Sequence, residues 1–352
     1  MTQRIHQILP TISPHDAIGN EAILIQNTLT KMGYDSQIFA ENIHTSMSNV
    51  KSINDYNNSN KNDIFIYHHS IGSGLLDFIL SLKCKIIMIY HNITPPEFFD
   101  GTNSTIADLL RLGRKQLEIL KNKISLAAGD SEFNRLELEK IGYENTTVLP
   151  ILLDFSKYLI QPDQSLISRY RDYINILYVG RIAPNKRVDD VIRSFAYFNQ
   201  NINPKSNLFI VGRSNGIADR YLDSLQSLIE NAQIKNVHLV TDADDKKLVN
   251  FYQIANLFVT MSLHEGFCVP LVESMYFKIP IIAHNSSAIP YTLGDSGITV
   301  KDETYEEIGE LFDFILLHPE LKKIIEKQTN RFHSIYAKDN ESMISDLLHL
   351  IK

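Results

Sequence analysis

Short apolar runs alternate with longer amphipathic runs along nearly the whole chain, and this rhythm constrains the fold more than any other feature. In the first half, six short apolar runs are predicted to be strands: Arg4–Leu9, Ser36–Phe39, Ile64–His68, Lys85–Tyr90, Leu126–Ala128 and Thr147–Leu149. Amphipathic runs at Asn20–Met32 and Asp108–Lys121 are predicted to be helices, and Gly33 is a suitable residue to end the first. Apolar strands separated by helices predict a parallel sheet that helices cover on both faces.

The same rhythm returns in the second half. Six more strands are predicted at Ile174–Val179, Leu208–Val211, Val237–Val240, Leu257–Met261, Pro280–Ala283 and Gly297–Val300. Helices are predicted at Val188–Asn199, Ala218–Asn231, Lys246–Ile254, Leu271–Phe277, Tyr305–Leu317 and Glu320–Lys327. Because 352 residues exceed the roughly 250–300 at which single cores stop growing, we expect two doubly wound α/β domains, 1–155 and 156–337. The link is expected around Asp154–Arg171, and the amphipathic run 338–352 is expected to pack back on the first domain.

Composition narrows the classes of function. A net charge of −7 argues against a nucleic-acid partner, since binding a phosphate backbone needs a basic surface. Cys84 and Cys268 lie far apart, so we expect neither a disulfide framework nor a zinc site. The first residues lack the apolar core of a signal peptide, and no uncharged apolar run approaches 18 residues. We therefore expect a cytoplasmic protein.

Parallel sheets bind ligands beyond the carboxyl ends of their strands, and two such domains predict a site in the cleft between them. Gly180, Arg181 and Lys186 directly follow the predicted strand Ile174–Val179. A guanidinium and an ammonium in a loop that leads into a helix suit a phosphate group. The competing interpretation is a solvated basic loop.

A second candidate is the stretch 264–274, which follows the predicted strand Leu257–Met261. Pro270 favours a helix start there, and free N–H groups at a helix start bind anions. Glu265 and Glu273 lie eight positions apart on either side of that start. They suit ligand hydroxyls. The same spacing also fits the two carboxylates of a glycoside hydrolase. It fits as well a structural arrangement in which Glu273 complements the helix N-terminus and Glu265 lies on the loop surface. Cys268 is interpreted as a small buried apolar residue and not as a nucleophile.

Weaker candidates come from the first half and from one acidic triplet. Gly19, at a helix entry, would let a phosphate approach the backbone, although a plain turn glycine is an equal alternative. His91 follows the strand Lys85–Tyr90 and would bind a substrate hydroxyl unless it simply packs in its loop. His68 and His69 also follow a strand, but histidines apart from each other and without carboxylate partners predict no metal site. The DAD triplet of 242–244 is interpreted as a helix cap.

The order of these motifs resembles the retaining glycosyltransferases of the GT-B fold, family GT4 (glycosyltransferase group 1). Residues 180–186 read GRIAPNK and residues 265–273 read EGFCVPLVE. Residues 128–134, the Leu149-Pro150 pair and the run 244–254 resemble further landmarks of that family. The resemblance implies two Rossmann-like domains that face each other across a cleft. It covers most of the chain.

The resemblance also implies roles. Arg181 and Lys186 would bind the donor diphosphate, Glu273 the ribose hydroxyls, and Glu265 the donor sugar. From the first domain, Gly19 would contact phosphate and His91 would contact the sugar. The remaining donor contacts would come from the backbone at Gly180, Gly266, Phe267, Cys268 and Val269. Tyr291 after Pro290, and a Val211-Gly212-Arg213 loop without an acidic neighbour, depart from the family pattern, so base and sugar stay open.

The implied reaction moves a hexose-type sugar from a UDP- or GDP-linked donor to a hydroxyl of a glycan or lipid-linked glycan, with retention and without a metal or other cofactor. Two alternatives are a non-catalytic partner subunit of a transferase and a nucleotide-sugar 2-epimerase. A basic amphipathic stretch in the first domain predicts peripheral contact with the inner face of a membrane, with a solvated helix face as the alternative. Its cations are Arg111, Arg114, Lys115, Lys121 and Lys123.

Overall fold

The computed structural model describes residues 3–14, 16–56, 60–214, 218–318 and 320–351. The chain divides into two compact units. The first comprises the described residues of 1–97, 105–154 and 336–352, and the second comprises those of 98–104 and 155–335. Each unit has its own parallel sheet, as the alternation of apolar and amphipathic runs predicts.

The sheet of the first unit has seven parallel strands in the order β3-β2-β1-β4-β5-β6-β7. The strands are β1 (Ile5–Ile12), β2 (Ile38–Ile43), β3 (Lys51–Ser52), β4 (Ile64–His69), β5 (Lys85–Tyr90), β6 (Leu126–Gly129) and β7 (Thr146–Val148). All six residues of β4 are buried, as expected for a strand covered on both faces. Helices α1 (Ala17–Lys31), α2 (Leu76–Ser81), α3 (Ser104–Leu120) and α4 (Glu132–Ile141) connect these strands.

The sheet of the second unit has six parallel strands in the order β10-β9-β8-β11-β12-β13. The strands are β8 (Ile174–Val179), β9 (Ser206–Val211), β10 (Val237–Val240), β11 (Leu257–Thr260), β12 (Ile281–His284) and β13 (Ile298–Val300). The helices are α5 (Gln164–Tyr170), α6 (Val188–Tyr197), α7 (Asp219–Asn231), α8 (Asp245–Ile254), α9 (Val269–Tyr276), α10 (Ile289–Leu293), α11 (Tyr305–Leu317) and α12 (Leu321–Ile335). Phe195, Phe198 and Phe312 fill the centre of one face of this sheet.

Several elements differ from the sequence prediction: α2, α4, α10 and β3 were not predicted, and α5 and α12 differ from the predicted link and helix. Helix α5 lies where a link without regular structure was predicted, because Asp163 caps it by accepting hydrogen bonds from the N–H groups of Ser165 and Leu166. Helix α12 continues to Ile335, well beyond the predicted end at Lys327. Both helices belong to the second unit.

The chain ends on the first unit in helix α13 (Asn340–His349). Ile344 and Leu347 of α13 join the same buried cluster as Ile25 and Leu29 of α1. Asp339 caps α13 through the N–H of Ser342 at 2.8 Å. The last residue of the predicted run, Lys352, lies outside the described residues.

Both sheets reverse their strand order at one point, which is where ligands bind in doubly wound folds. In the second unit that point lies between β8 and β11, which pair through Leu257 with Ile176 and Phe258 with Leu177. In the first unit it lies between β1 and β4. The loops after these four strands therefore position the candidate sites.

Candidate functional site

The loop after β8 is shaped by two glycines. The N–H of Gly180 donates to the carbonyl of Val211 at 3.1 Å, which holds the loop against the end of β9. A Cβ added to Gly212 would lie 1.8 Å from the Gly180 carbonyl oxygen, so the two backbones approach too closely for any side chain at 212. Arg181 follows with an exposed side chain. Its guanidinium forms no ion pair or hydrogen bond with the described part of the chain.

Lys186 and Glu265 form an ion pair. The Lys186 Nζ lies 2.6 Å from the Glu265 Oε2, and the side chains are 17% and 12% exposed. Lys186 ends a short 3₁₀ turn, Pro184–Lys186, after β8, and Glu265 follows β11. The structure thus brings together at the switch point two residues that the sequence placed in one donor site, but it pairs them with each other.

Asn185 holds these two loops together, although it is not among the residues predicted from the sequence. Its buried side-chain amide donates to the His264 carbonyl at 3.2 Å, and its own carbonyl accepts from the Leu263 N–H at 2.8 Å. The Glu265 N–H donates to the Ser287 Oγ at 2.7 Å, which fixes the second loop from its other side. In the sequence, an asparagine between Pro184 and Lys186 is the only signal for this role, and it is a weak one.

Helix α9 begins directly after this pair. Cys268 is its N-cap, in the left-handed conformation at φ 71°, and Pro270 lies in its first turn. The N–H groups of Phe267 and Cys268 meet no acceptor among the residues that the structure describes. The N–H of Val269, as the first helical residue, has no intrahelical partner. The helix start therefore presents unfilled backbone donors, which suit an anion.

The surroundings of Cys268 disfavour a thiolate. Burial first, and then the charge of Glu265, raise the pKa of its thiol well above the ordinary value. The side chain is 7% exposed and contacts the Glu265 carboxylate. A protonated, buried thiol of this kind packs as a small apolar group.

Glu273 lies in α9, but its carboxylate is enclosed. The Tyr158 hydroxyl donates to Oε1 and the Tyr252 hydroxyl donates to Oε2, both at 2.6 Å. Glu273 is 4% exposed, and burial together with this carboxylate raises the pKa of Tyr252 well above its ordinary value. A ribose hydroxyl at the predicted site would therefore share a buried carboxylate that already accepts one hydrogen bond on each oxygen.

Gly19 lies in the first turn of α1, where its N–H is already used. The Asp16 side chain caps the helix by accepting from the Gly19 N–H at 3.1 Å. A Cβ on Gly19 would lie 3.2 Å from the Ser13 carbonyl oxygen, so the glycine also serves close packing. A phosphate would reach this N–H only by displacing Asp16.

His91 is buried in the first unit with both ring nitrogens engaged. Its Nδ1 lies 2.9 Å from the Asp130 Oδ2, and its Nε2 lies 2.9 Å from the His68 Nδ1. Glu21 places a carboxylate oxygen 3.8 Å from the same Nδ1. The expectation that the histidines lie apart without carboxylate partners is wrong, because β4, β5 and β6 are neighbours and their ends meet. Neither ring nitrogen of His91 is therefore available for the predicted contact with a sugar.

Only some of the basic side chains on α3 and directly after it face solvent. Arg114 donates to the Ile93 carbonyl and lies 3.4 Å from Glu137, and Lys123 donates to the Leu82 carbonyl. Arg111 pairs with Asp108 at 3.1 Å. Lys115 and Lys121 are exposed, together with Arg111. In the described part of the chain, no helix combines the length and the apolar character that crossing a bilayer requires.

The acidic triplet of 242–244 caps a helix, as predicted. Asp244 is the N-cap of α8, and its Oδ1 accepts from the Lys247 N–H at 2.7 Å. Asp242 pairs with the Lys247 Nζ, also at 2.7 Å. Both carboxylates are thus engaged by the helix start itself.

Comparison with known proteins supports the resemblance. Residues 166–332, just under half of the chain, match the family model described as "Glycosyl transferases group 1". The chain is 25% identical over 249 residues to the capsular polysaccharide biosynthesis glycosyltransferase CapM of Staphylococcus aureus, covering 66% of this chain and 60% of that protein. It is 25% identical over 134 residues to the O-antigen chain mannosyltransferase B of Escherichia coli, covering 38% of this chain and 34% of that protein.

Similarity to solved structures extends over the whole length. Anabaena HepE in complex with UDP and glucose matches with a TM-score of 0.75 and 14% identity, covering 99% of both chains. The GT-B fold predicted from the sequence is thereby confirmed, as is the resemblance to the group 1 glycosyltransferases. The matches to these two curated relatives span only about a third and three fifths of those proteins, and they support sugar transfer as the class of reaction.

Proposed function

Because residues 166–332 match the group 1 glycosyl transferases within a GT-B fold, we propose that this protein moves a hexose-type sugar from a nucleotide diphosphate sugar to a hydroxyl. The donor is UDP- or GDP-linked, and the acceptor is a glycan or a lipid-linked glycan. The anomeric configuration is retained, and no metal is required. The second unit binds the donor.

The Lys186–Glu265 pair at the switch point of the second sheet is the observation that carries this proposal. A cation and a carboxylate, 2.6 Å apart, lie beside the start of α9. The N–H groups of Phe267 and Cys268, just before the helix, meet no acceptor in the described part of the chain, and that of Val269 has no intrahelical one. The cation and the N–H groups suit a phosphate, whereas the carboxylate suits a sugar hydroxyl. Neither a hydrolase pair nor a thiol nucleophile accounts for this combination.

The chemistry follows from the leaving group. Departure of a nucleotide diphosphate develops negative charge on its phosphate oxygens, and preorganised cations and dipoles stabilise that charge. Arg181, exposed after β8, and Lys186 supply the cations, and α9 supplies the N–H groups. In the front-side scheme implied by the family, the leaving phosphate oxygen takes the proton of the acceptor hydroxyl. This arrangement needs no covalent nucleophile.

Related proteins support the choice of donor and acceptor. HepE was solved with UDP and glucose, and the curated relatives are named for capsular polysaccharide and O-antigen synthesis. A nucleotide sugar as donor and a growing glycan as acceptor fit these names. Glu265 is assigned to the donor sugar. Glu273 is assigned to the ribose hydroxyls, which would share its carboxylate with the Tyr158 and Tyr252 hydroxyls.

A binding screen across UDP, GDP, ADP and TDP sugars tests the donor assignment. A donor at 100 times its dissociation constant stabilises the folded state by about 2.7 kcal/mol, which a thermal melt detects. Arg181→Ala should lose this stabilisation and reduce sugar transfer at least about 100-fold. Arg171→Ala is the matched control, because this exposed arginine precedes β8 and lies at the opposite end of the strand.

Three results would contradict the proposal. The first is full transfer by a folded Arg181→Ala protein. The second is an epimerised nucleotide sugar when donor is incubated without acceptor, which indicates a 2-epimerase. The third is the absence of both donor binding and transfer by the isolated chain, which indicates a partner subunit. Retention itself is read from the anomeric coupling in the NMR spectrum of the product.

We also propose peripheral contact with anionic lipid through the exposed cations of α3 and the residues after it. The structure reduces the predicted set to Arg111, Lys115 and Lys121, since Arg114 and Lys123 donate to backbone carbonyls. Flotation with anionic vesicles should carry the protein, and Lys115→Glu should weaken it. Equal flotation with neutral vesicles contradicts an electrostatic contact.

A further inference from the structure

A continuous row of hydrogen bonds runs through the interior of the first unit. Gln7 on β1, His68 on β4, His91 after β5 and Asp130 after β6 follow one another in this order. Each of the three contacts between them measures 2.9 Å. All four residues are buried, and the side chains of His91 and Asp130 are each 2% exposed.

The direction of the first hydrogen bond is fixed. The Gln7 Nε2 donates to the Ala22 carbonyl at 2.8 Å, and a carbonyl can only accept. The Gln7 Oε1 therefore faces the His68 Nε2, at 2.9 Å, and this oxygen can only accept as well. His68 must carry a proton on Nε2.

Counting protons along the row gives its charge. Three hydrogen bonds need three protons, one each between Gln7 and His68, between His68 and His91, and between His91 and Asp130. Two neutral histidines hold only two ring protons. The row therefore holds one more proton than two neutral imidazoles beside an ionised carboxylate can supply.

The extra proton can lie on His91 or on Asp130, whose pKa burial also raises, and an ionised Asp130 favours His91. Burial by itself lowers the pKa of His91, but the charge and hydrogen bond of Asp130 outweigh it and raise the pKa overall. Burial lowers the pKa of His68 well below its ordinary value, and the charge on His91 adds to that effect. Asp16 and Glu21 face the cluster from the start of α1 and Asp130 from the loop after β6.

We propose that His91 is a permanently held imidazolium paired with Asp130, and that His68, oriented by Gln7, is the positioning residue that keeps the His91 Nε2 protonated. His91 then has no lone pair with which to take a proton from a ligand. Both of its N–H groups point inward, so it acts on anything bound nearby only through its charge. This inference does not depend on the proposed sugar transfer, because it rests on hydrogen bonding alone.

A metal ion is the competing use of these residues. Donor atoms of Glu21, His68 and His91 lie within 4.8 Å of one another. However, the His68 Nδ1 and the His91 Nε2 are directed at each other across 2.9 Å, and the two rings lie within 4° of parallel. A shared metal needs both lone pairs aimed at a third point, so the observed geometry suits a shared proton.

Two-bond ¹H–¹⁵N correlation spectra of the histidine rings test the proposal on the whole protein. At neutral pH, both ring nitrogens of His91 should carry protons, and His68 should be neutral with its proton on Nε2. A His91 ring with one unprotonated nitrogen, or a His68 ring protonated on Nδ1 alone, would overturn the proposal. So would addition of Zn²⁺ that shifts the signals of both rings together.

Substitutions separate positioning from mere packing. His68→Phe keeps the ring shape but removes the acceptor, so His91 should become singly protonated at neutral pH. His68→Asn restores an oxygen near the place of Nδ1 and should restore the doubly protonated ring. If His68→Phe does not fold, Asp130→Asn serves instead, since this variant lacks the charge that favours the extra proton and its amide N–H can donate to an unprotonated His91 Nδ1. A doubly protonated His91 in a folded Asp130→Asn protein contradicts the proposal.

Discussion

Breaking the Lys186–Glu265 pair should destabilise the second unit by an amount that its burial sets. With side chains 17% and 12% exposed, the pair lies between a surface ion pair, worth about 0–1 kcal/mol, and a fully buried one, whose loss of one partner costs about 3–5 kcal/mol. Lys186→Met leaves the Glu265 carboxylate enclosed without its cation, and we expect a loss of about 2 kcal/mol. Glu265→Gln should cost less, because the flexible lysine can turn toward solvent.

A double-mutant cycle measures this coupling. Urea unfolding of the wild type, the two single variants and the Lys186→Met/Glu265→Gln double variant should give a coupling energy of at least about 1 kcal/mol. The control is Lys247→Met, which breaks a 2.7 Å pair with Asp242 that is 44% and 78% exposed and should change stability little. Additive single effects, or a Lys186→Met protein as stable as Lys247→Met, refute the idea that the two loops are held by this pair.

Substitutions at three more residues test other parts of the structure. Burial, with the charge of Asp130, raises the pKa of Glu21 from 4.5 to about 8, so the folded state binds this proton more tightly and stability falls as the pH rises between these values. Glu21→Gln should flatten this slope in urea unfolding across that range. Cys268→Gly should change the free energy of unfolding by less than about 1 kcal/mol, because glycine adopts a φ of 71° without strain. Cys268→Val should lower the free energy of unfolding by about 2 kcal/mol or more, because a β-branched side chain is strained at that φ. Tyr252→Phe should cost about 1–3 kcal/mol in chemical denaturation, since one buried oxygen of Glu273 loses its donor.

Local patterns were sufficient to predict the two sheets. A buried parallel strand such as Lys85–Tyr90 is apolar at every position after its first, and that property is readable without knowing its neighbours. Capping signals are local as well, so the role of Asp244 was predicted correctly. Helix α5 was missed because a cap at Asp163 followed by only seven helical residues leaves too short a period to detect.

The hydrogen-bond partners of buried polar side chains could not be predicted from local sequence patterns. Tyr158 lies 115 positions before Glu273, and Tyr252 lies 21 before it, so nothing near α9 in sequence announces that its carboxylate is enclosed. The histidine cluster could have been predicted from the rule that was applied to the second unit, namely that the carboxyl ends of neighbouring parallel strands lie together. His68 ends one strand, His91 follows the next and Asp130 follows the third, so adjacent strand ends bring them together.

The hydrogen-bond donors at the strand ends already have acceptors in the first unit but not in the second, and this difference bears on where an anionic ligand binds. In the first unit the Gly19 N–H is capped by Asp16, and the ring nitrogens of His91 are taken up by His68 and Asp130. In the second unit the Arg181 guanidinium and the N–H groups of Phe267 and Cys268, just before α9, meet no partner in the described chain. Unfilled donors gain most from a phosphate, because filled ones must first give up a hydrogen bond. The second unit is therefore the part that a nucleotide diphosphate should stabilise, and hydrogen exchange with and without donor should show protection concentrated at α9.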